Sequence, residues 1–382
     1  MVKERDSDQF ARLELGVEPE APHRITKLDL QEISRPVEFA IPRLTQPAAL
    51  AALRTYLEQA SAADRFSGAA LVAVNGKSIF SEAYGLADRE KKIPNQLNTQ
   101  FRIGSMNKMF TAVAIIQLLQ AGKLELTDSL SKFLPDYANK DFASKVTIHQ
   151  LLTHTGGTGN IFGPEFQAHR PELRSQNDYV KLYENRPLEF DPGSRWEYSN
   201  YGFLLLGVVI ESVTGETYYE YVPEHVFKPA GMTSTDSLPE GETVARRSVG
   251  YMKGKPDAAW APNTDTLPYR GTSAGGGYST VEDLLRFADA IENHKLLDAE
   301  HTALLTSGKV DTPRGEKYAY GFMEIDEEGL RCFGHGGGAP GMNGDLKICP
   351  QSGYVIAVLS NINPPAAERP ANYIADRLPL IK

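Results

Sequence analysis

Hydrophobic and polar positions divide the chain into a strand-rich start, a helical middle and a strand-rich end. Residues 68–74 and 77–84 flank Asn75-Gly76, the strongest short signal for a β-hairpin. From about residue 105 to 310 the apolar positions mainly follow helical spacing, with loops rich in Gly, Pro and Thr. Strands are predicted again near the end, over Tyr318–Ile325, Gly329–Gly334, Gly344–Ile348 and Tyr354–Ser360. A closing helix is predicted over Ala367–Leu378.

This order predicts an α+β fold. We expect an antiparallel sheet flanked by N- and C-terminal helices, plus an inserted, mainly helical lobe. The sheet lobe would comprise residues 45–100 and 311–382, and the helical lobe residues 101–310. An amphipathic helix over Ala48–Ala63 would open the sheet lobe. Active sites favour the cleft between two such lobes.

Residues 1–44 are predicted to form an N-terminal extension. Apolar residues alternate in two short runs on either side of a proline-containing turn, which predicts a β-hairpin. A linker from Pro36 to Pro47 follows it. The alternating apolar residues are Leu13, Leu15 and Val17 in the first run and Ile25, Leu28 and Leu30 in the second.

Composition excludes several classes of protein. Of 382 residues, 41% are hydrophobic and 23% are charged, as in ordinary globular proteins. The net charge of -9, with no basic stripe, argues against nucleic-acid binding. The longest apolar run, residues 203–210, is too short to span a bilayer. No secretory signal is recognisable, which predicts a cytoplasmic protein, or a periplasmic or secreted one if a leader was removed. The sequence leaves the oligomeric state open.

Neither the cysteines nor the histidines predict a metal site or a cofactor. Cys332 and Cys349 are too few for a disulfide scaffold. They could face each other across a hairpin, but we expect two buried thiols. His149 and His154 lack metal-ligand spacing and a cluster of acids, so we expect structural histidines.

Candidate chemistry begins with Ser105 and Lys108. They lie three residues apart, on one face of a helix that is apolar nearly all round. No carboxylate occurs between Arg102 and Leu124 to pair with Lys108. A lysine buried in this way has a lowered pKa and can act as a base towards the serine. The structural alternative is a helix-capping serine beside a lysine whose amine reaches solvent.

A second Ser-x-x-Lys pair, Ser129 and Lys132, lies in a short polar stretch that ends at Pro135. Because no buried helix follows, Lys132 should be solvated and charged. We therefore assign the chemistry to the first pair.

Two further features would complete a hydrolase. Of three Tyr-x-Asn triplets, beginning at Tyr137, Tyr183 and Tyr198, the third opens a buried helix and suits a positioned proton donor. Residues 334–338, Gly-His-Gly-Gly-Gly, follow an apolar strand. Glycines there would let backbone N–H groups point at a developing oxyanion. The structural alternatives are that the tyrosine only packs against the core and that the glycines only form a flexible hairpin loop.

In this order and spacing, these motifs resemble the serine β-lactamase and penicillin-binding-protein-like superfamily. The resemblance is strongest to the class C β-lactamase-related branch, with its family VIII carboxylesterases and D-stereospecific peptidases. It covers about residues 45–380, so residues 45–382 would form one serine hydrolase domain. Residues 151–157, Leu-Leu-Thr-His-Thr-Gly-Gly, and residues 273–280 are also similar to that branch.

The resemblance implies a role for each site residue. Ser105 would be the nucleophile, Lys108 its base and Tyr198 the proton relay. The backbone N–H groups of Ser105 and Gly338 would form the oxyanion hole. The side chain of Asn200, together with His335, Gly336 and Gly337, would bind the substrate.

One departure from the family pattern affects the expected substrate. Lactamases and transpeptidases carry Lys-Thr-Gly where this chain has His335, Gly336 and Gly337. Without the fixed cation, a substrate carboxylate loses its partner. The sequence therefore favours a carboxylesterase for short uncharged esters. A D-stereospecific peptidase or amidase and a weak β-lactamase are the alternatives.

Two rival hypotheses remain. Residues 271–275 match the Gly-x-Ser-x-Gly elbow of α/β-hydrolases, with Ser273 as nucleophile, but the preceding residues are polar and contain Pro268. A non-catalytic binding or sensor module of the same fold is the other rival. Such a module has no need for an unpaired buried lysine.

Overall fold

An antiparallel sheet of eight strands organises this protein. The structure is a computed structural model that describes residues 1–4, 8–33, 35–255, 258–313, 315–327 and 330–380. The N-terminal hairpin pairs β1 (Phe10–Val17) with β2 (Ile25–Ile33). The eight strands of the sheet follow: β3 (Gly68–Val74), β4 (Lys77–Tyr84), β5 (Val310–Asp311), β6 (Lys317–Tyr318), β7 (Met323–Glu327), β8 (Leu330–Ala339), β9 (Met342–Cys349) and β10 (Tyr354–Ser360).

The strand order joins the two halves of the chain. It runs β5-β6-β7-β8-β9-β10-β3-β4, and every neighbouring pair is antiparallel. β10, close to the end of the chain, therefore pairs with β3 along its whole length, from Gly68 opposite Ser360 to Val74 opposite Tyr354. The short strands outside the sheet are Val2–Lys3, Leu86–Asp88, Ile93–Pro94, Phe101–Arg102, Tyr251–Met252, Ala261–Pro262 and Tyr278–Ser279.

Most of the helices lie between β4 and β5 in the chain. The numbered helices are α1 (Gln46–Ala62), α2 (Asn107–Gln120), α3 (Ile148–Leu152), which has five residues, α4 (Gln176–Tyr183), α5 (Asn200–Thr214), α6 (Val281–Glu292), α7 (Ala299–Thr306) and α8 (Glu368–Ala375). Further helical segments are Val37–Phe39, Gly104–Met106, Leu130–Phe133, Lys140–Lys145, Pro164–His169, Arg170–Glu172, Tyr218–Val222, Pro223–Phe227, Lys228–Ala230 and Thr264–Thr266.

Both faces of the sheet are buried. In β10, Val355, Ala357 and Leu359 face the core shared with the helical insert, while Tyr354 and Ile356 face the core shared with α1 and α8. This alternation explains why the strand reads as a continuous apolar run, since side chains of successive residues point to opposite faces. The predicted α+β class is confirmed. The division into lobes at residues 100 and 310 stays a prediction.

Two strand predictions need correction. The run over Tyr318–Ile325 is not one strand, because it breaks between β6 and β7 where Gly321 adopts a φ of 72°. The glycines of residues 334–338 lie inside β8 rather than in a hairpin loop after it. Gly329, the expected first residue of this strand, lies outside the described residues.

The expectation of two thiols at Cys332 and Cys349 is wrong. A disulfide joins them. The register of β8 and β9 pairs Phe333 with Ile348, so the next residues outward, the two cysteines, stand opposite each other. Their Cα atoms are 4.2 Å apart. The hairpin geometry that brings them together depends on the strand register, which the spacing of the two cysteines did not establish.

Candidate active site

Ser105 lies in a short helical turn that enters the buried helix α2. The turn spans Gly104–Met106, and Gly104 has a φ of 54°, a backbone conformation that glycine adopts without strain. Ser105 is partly buried and lines an open cleft of about 2140 Å³. The cleft extends from the serine to the N-terminal hairpin and to α1 and α8, so only part of this volume borders Ser105.

The side chain of Lys108 is completely buried, one turn of helix beyond the serine. Its Nζ lies 3.4 Å from Ser105 Oγ, 2.7 Å from Asn200 Oδ1 and 2.5 Å from the carbonyl oxygen of Ala274. Burial lowers the pKa of Lys108 well below its usual value. Burial therefore favours the neutral form of the amine more than in a solvated lysine.

These contacts orient the amine. A neutral amine has two N–H bonds and one lone pair. Asn200 Oδ1 and the Ala274 carbonyl can only accept, so they take both N–H bonds. In that neutral form the lone pair would be left for the hydroxyl proton of Ser105, 3.4 Å away. Asn200 is held in turn by Asn160, whose Oδ1 accepts from Asn200 Nδ2 at 3.0 Å.

Tyr198 lies on the other side of the serine. Its side chain is hydrogen-bonded to Ser105, and its ring centroid lies 4.8 Å from Lys108 Nζ. Burial raises the pKa of the Tyr198 phenol far above its usual value, so the hydroxyl keeps its proton. Ser199 follows as the N-cap of α5, with its hydroxyl accepting from Gly202 N at 2.9 Å.

His154 holds this tyrosine in place. Its Nδ1 accepts the backbone N–H of Ser199 at 3.1 Å, and its carbonyl oxygen accepts that of Glu197 at 3.0 Å. The imidazole packs on the Tyr198 ring with centroids 4.3 Å apart. Burial lowers the pKa of His154 well below its usual value, so the ring stays neutral. Sequence reasoning treated His154 as structural and missed this contact, because only the fold brings residue 154 beside residue 198.

We expect His154→Asn to lower kcat by about tenfold to a hundredfold with little change in KM. Asparagine tolerates the left-handed φ of 59° at this position but removes the ring that packs on Tyr198. The measurement is steady-state kinetics of the folded variant. His149→Asn is the matched control, since His149 bonds to the Tyr320 hydroxyl at 2.8 Å instead. Equal losses in both variants would contradict a specific role for His154.

The glycines of β8 pass directly beside the serine. A Cβ on Gly337 would lie 2.0 Å from the Ile103 oxygen and 3.0 Å from Ser105 N. A Cβ on Gly104 would lie 3.0 Å from Gly338 N. The two backbones therefore touch only because these residues are glycines. Pairing of β7 with β8 ends at Gly334, so the following residues of β8 border the cleft.

His335 is buried on the same strand. Its Nε2 lies 3.1 Å from the Tyr318 hydroxyl, and its Nδ1 lies 2.5 Å from the carbonyl oxygen of Gly336. Burial, reinforced by the nearby Lys108, lowers the pKa of His335 to about 4. At neutral pH this position therefore supplies an uncharged imidazole.

The rival residues lie elsewhere. Ser273 is fully buried and donates to Gln176 Oε1 at 3.0 Å, so its hydroxyl does not face the cleft. Ser129 bonds to Ser131, and the half-exposed Lys132 pairs with Asp128 at 2.7 Å. The hydroxyls of the other two triplet tyrosines also have structural partners: Tyr137 bonds to Tyr201 at 2.9 Å, and Tyr183 donates to the Ile161 oxygen at 2.9 Å.

Among the described residues, no group of three or more His, Cys, Asp or Glu side chains is placed to bind a metal ion. In the same part of the chain, no helix has the length and apolar character needed to cross a bilayer.

The fold combines an antiparallel sheet and terminal helices with a serine-lysine pair at the start of a buried helix, close to the last strands of the sheet. This combination characterises the β-lactamase and penicillin-binding-protein fold class. The chain belongs to the Beta-lactamase family, whose family model matches residues 53–380. The resemblance stated from the motifs is confirmed at the level of the superfamily. The chain therefore belongs to a superfamily of serine hydrolases and acyltransferases.

Individual relatives support this assignment. The chain is 33% identical over 302 residues to the putative penicillin-binding protein PbpX of Bacillus subtilis, covering 78% of this chain and 71% of that protein. For two other curated relatives, it spans only 59% and 66% of their length. A penicillin-binding protein from Bacillus halodurans has a similar structure, with a TM-score of 0.76 and 35% identity over 84% of this chain and 97% of that one. A D-stereospecific amidohydrolase from Streptomyces has a TM-score of 0.71 and 26% identity over 85% and 97%.

Proposed function

We propose that this protein is a serine hydrolase that works through an acyl-enzyme, and that its preferred substrates are short, uncharged carboxylic esters. The observation that carries the hydrolase proposal is the position of Lys108. Its buried Nζ lies 3.4 Å from Ser105 Oγ and within hydrogen-bond distance of two further acceptors, Asn200 Oδ1 and the Ala274 oxygen, so a neutral amine there would have its lone pair left for the serine. A buried lysine held in this way has no evident purpose in a binding or sensor module.

Acylation would use both neighbours of the serine. Lys108 takes the Ser105 proton as Oγ attacks the ester carbonyl, and the tetrahedral oxyanion accepts from the N–H groups of Ser105 and Gly338. Tyr198 donates its phenol proton to the leaving alcohol oxygen as the C–O bond breaks. The proton on Lys108 then restores the phenol, which leaves an acyl-serine and a neutral lysine.

Deacylation would repeat these steps with water as the nucleophile. Lys108 takes a proton from the attacking water, and the second tetrahedral intermediate is held by the same N–H groups. Collapse breaks the bond to Oγ, and the proton returns to Ser105. No group besides the chain's own residues is needed to balance the protons. Asn200 and the glycines at 336 and 337 would border the bound acyl group.

The preference for uncharged esters rests on His335. A β-lactam or a peptide C-terminus brings a carboxylate, and a charge-assisted hydrogen bond to it contributes about 1.5–3 kcal/mol. With a pKa of about 4, His335 offers no cation at neutral pH. A substrate without a carboxylate loses no binding energy when this cation is missing. A D-stereospecific amidase is the second candidate, because the Streptomyces amidohydrolase shares the fold at 26% identity.

We expect kcat/KM for p-nitrophenyl butyrate to exceed that for nitrocefin by at least about a hundredfold. His335→Lys should lower this ratio about tenfold to a hundredfold, because it supplies a cation where the carboxylate would lie. His335→Gln is the matched control, since glutamine keeps polarity without charge, and its ratio should stay near that of the wild type. D-Phenylalanine p-nitroanilide tests the amidase alternative. A wild-type enzyme that prefers nitrocefin or the anilide would refute the esterase proposal.

A further inference from the structure

The N-terminal hairpin presents an apolar face to solvent. Leu15 and Val17 of β1 are 53% and 51% exposed, and Ile25, Leu28 and Leu30 of β2 are 64%, 70% and 63% exposed. The register places Leu15 opposite Leu28 and Val17 opposite Ile25, so these side chains share one face. Contiguous apolar surfaces of this kind are rare on monomers and often mark an interaction site.

The same hairpin has an open edge. In its sheet, β2 is the outer strand, and within the described residues its ladder runs to β1 alone. An unpaired edge nine residues long is a template for another strand. Towards the turn, the opposite face of the hairpin is polar, with Lys27 Nζ 2.7 Å from Glu14 Oε2 and both side chains more than half exposed.

The sequence of β2 is self-complementary in one antiparallel register. With Leu28 opposite its own copy, Lys27 stands opposite Asp29 of the second strand, and the reverse pair forms by symmetry. Sliding the strands by two residues puts Lys27 opposite Lys27 in one direction and Asp29 opposite Asp29 in the other. Since side chains alternate along a strand, only these even shifts keep the apolar faces together. Opposite charges across strands stabilise a pair, and like charges destabilise it.

We propose that β2 pairs with β2 of a second copy of this chain, in the register that places Leu28 opposite Leu28. The dimer would continue the hairpin sheet across a twofold axis and double its apolar face. A membrane surface fits this hairpin less well. Interfacial elements carry lysine and arginine on their polar face, whereas here Lys27 is matched by Glu14 and Asp29, and the chain has a net charge of -9.

The first test is the charge pattern. A nine-residue strand pair buries less than the about 1,200 Å² of a stable interface, so we expect a weak dimer, and sedimentation velocity should span about 1 to 200 μM. Lys27→Asp alone and Asp29→Lys alone should each weaken association at least about tenfold. The double variant should restore it, because the cross-strand charges are exchanged and the lysine introduced by Asp29→Lys would stand opposite Glu14. Thermal unfolding checks that each variant is folded.

The second test fixes the register. The two natural cysteines are joined to each other, so Leu28→Cys introduces a single free thiol. Under mild oxidation, Leu28→Cys should form a covalent dimer. The matched control Leu30→Cys should not, because its two thiols would be about 13 Å apart along the strands.

Any of three results would overturn the proposal. The first is that the protein stays monomeric throughout the concentration range. The second is that both single charge variants weaken dimerisation and the double variant does not restore it, and the third is that the two cysteine variants cross-link equally. A monomer that floats with phosphatidylcholine vesicles would instead assign the apolar face to membranes. None of these readouts depends on hydrolytic activity, so the dimer and the hydrolase proposals fail separately.

Discussion

Ser105→Ala is expected to lower kcat by at least about a thousandfold, because it removes the atom that we propose forms the acyl-enzyme. The fold should survive this change, since the serine is partly buried and, in the described part of the chain, its hydroxyl is hydrogen-bonded to Lys108 and Tyr198. The measurement is steady-state hydrolysis of p-nitrophenyl butyrate by the purified variant, with thermal unfolding as the check on folding.

Two other serines provide the controls. Ser129→Ala removes the serine of the second Ser-x-x-Lys pair and should keep most of the activity. Ser273→Ala should also keep activity, although Gln176 loses a hydrogen-bond partner. A fluorophosphonate adduct should appear on tryptic peptide 103–108, and cleavage after Lys123, Lys132, Arg270 and Arg286 separates it from the peptides of both rivals. An adduct on residue 273 would refute the assignment.

Lys108→Met is expected to be nearly as inactive as Ser105→Ala, because it removes the base while keeping an unbranched side chain of similar length. The variant also leaves two buried acceptors, Asn200 Oδ1 and the Ala274 oxygen, without their donor. The expected cost in unfolding free energy is about 1–3 kcal/mol for each of them. Urea denaturation measures this loss independently of kcat. Lys132→Met is the matched control, since Lys132 is half exposed and pairs with Asp128 instead.

The pH profile tests the protonation state of this base. Activity needs the neutral amine, so kcat/KM should rise with pH through the lowered pKa of Lys108 and then level off. Because burial raises the pKa of Tyr198, no alkaline decline from this phenol should begin near its ordinary value of 10.0. A further change in kcat/KM near pH 4 would be due to the titration of His335, and His335→Gln should abolish it.

Lys108→Arg should be nearly inactive, since arginine supplies no base near neutrality. A variant that retains more than about a tenth of wild-type kcat would contradict the assignment of Lys108 as the base.

Local pattern was sufficient for the fold class and for the burial of Lys108. The run after Ser105 is apolar nearly all round, and the helix it forms, α2, is buried for most of its length. The absence of a nearby carboxylate in the sequence corresponds to an amine whose hydrogen-bond partners are neutral oxygens. The roles of Ser105, Lys108, Tyr198 and the glycine strand stay predictions, which the kinetics above can test.

Features that depend on strand register or on contacts between distant residues could not be predicted from the sequence. The disulfide between Cys332 and Cys349 follows from the pairing of β8 with β9, which spacing leaves open. The contact of His154 with Tyr198 joins two loops that only the packed core brings together. The Ala274 carbonyl that orients Lys108 belongs to the segment read as a rival nucleophile elbow. A backbone acceptor leaves no mark in side-chain identity.

The pairing of β10 with β3 has a consequence for synthesis of this protein on the ribosome. A nascent chain that has emerged as far as about residue 310 already carries Ser105, Lys108 and Tyr198, but it lacks the strands that complete the sheet. At that point the hairpin of β3 and β4 still lacks its neighbour β10, and the glycines that border the serine have not been translated. The proposed active site is therefore incomplete until the C-terminal strands leave the exit tunnel, and until then the unpaired edge of β3 exposes apolar side chains to chaperones.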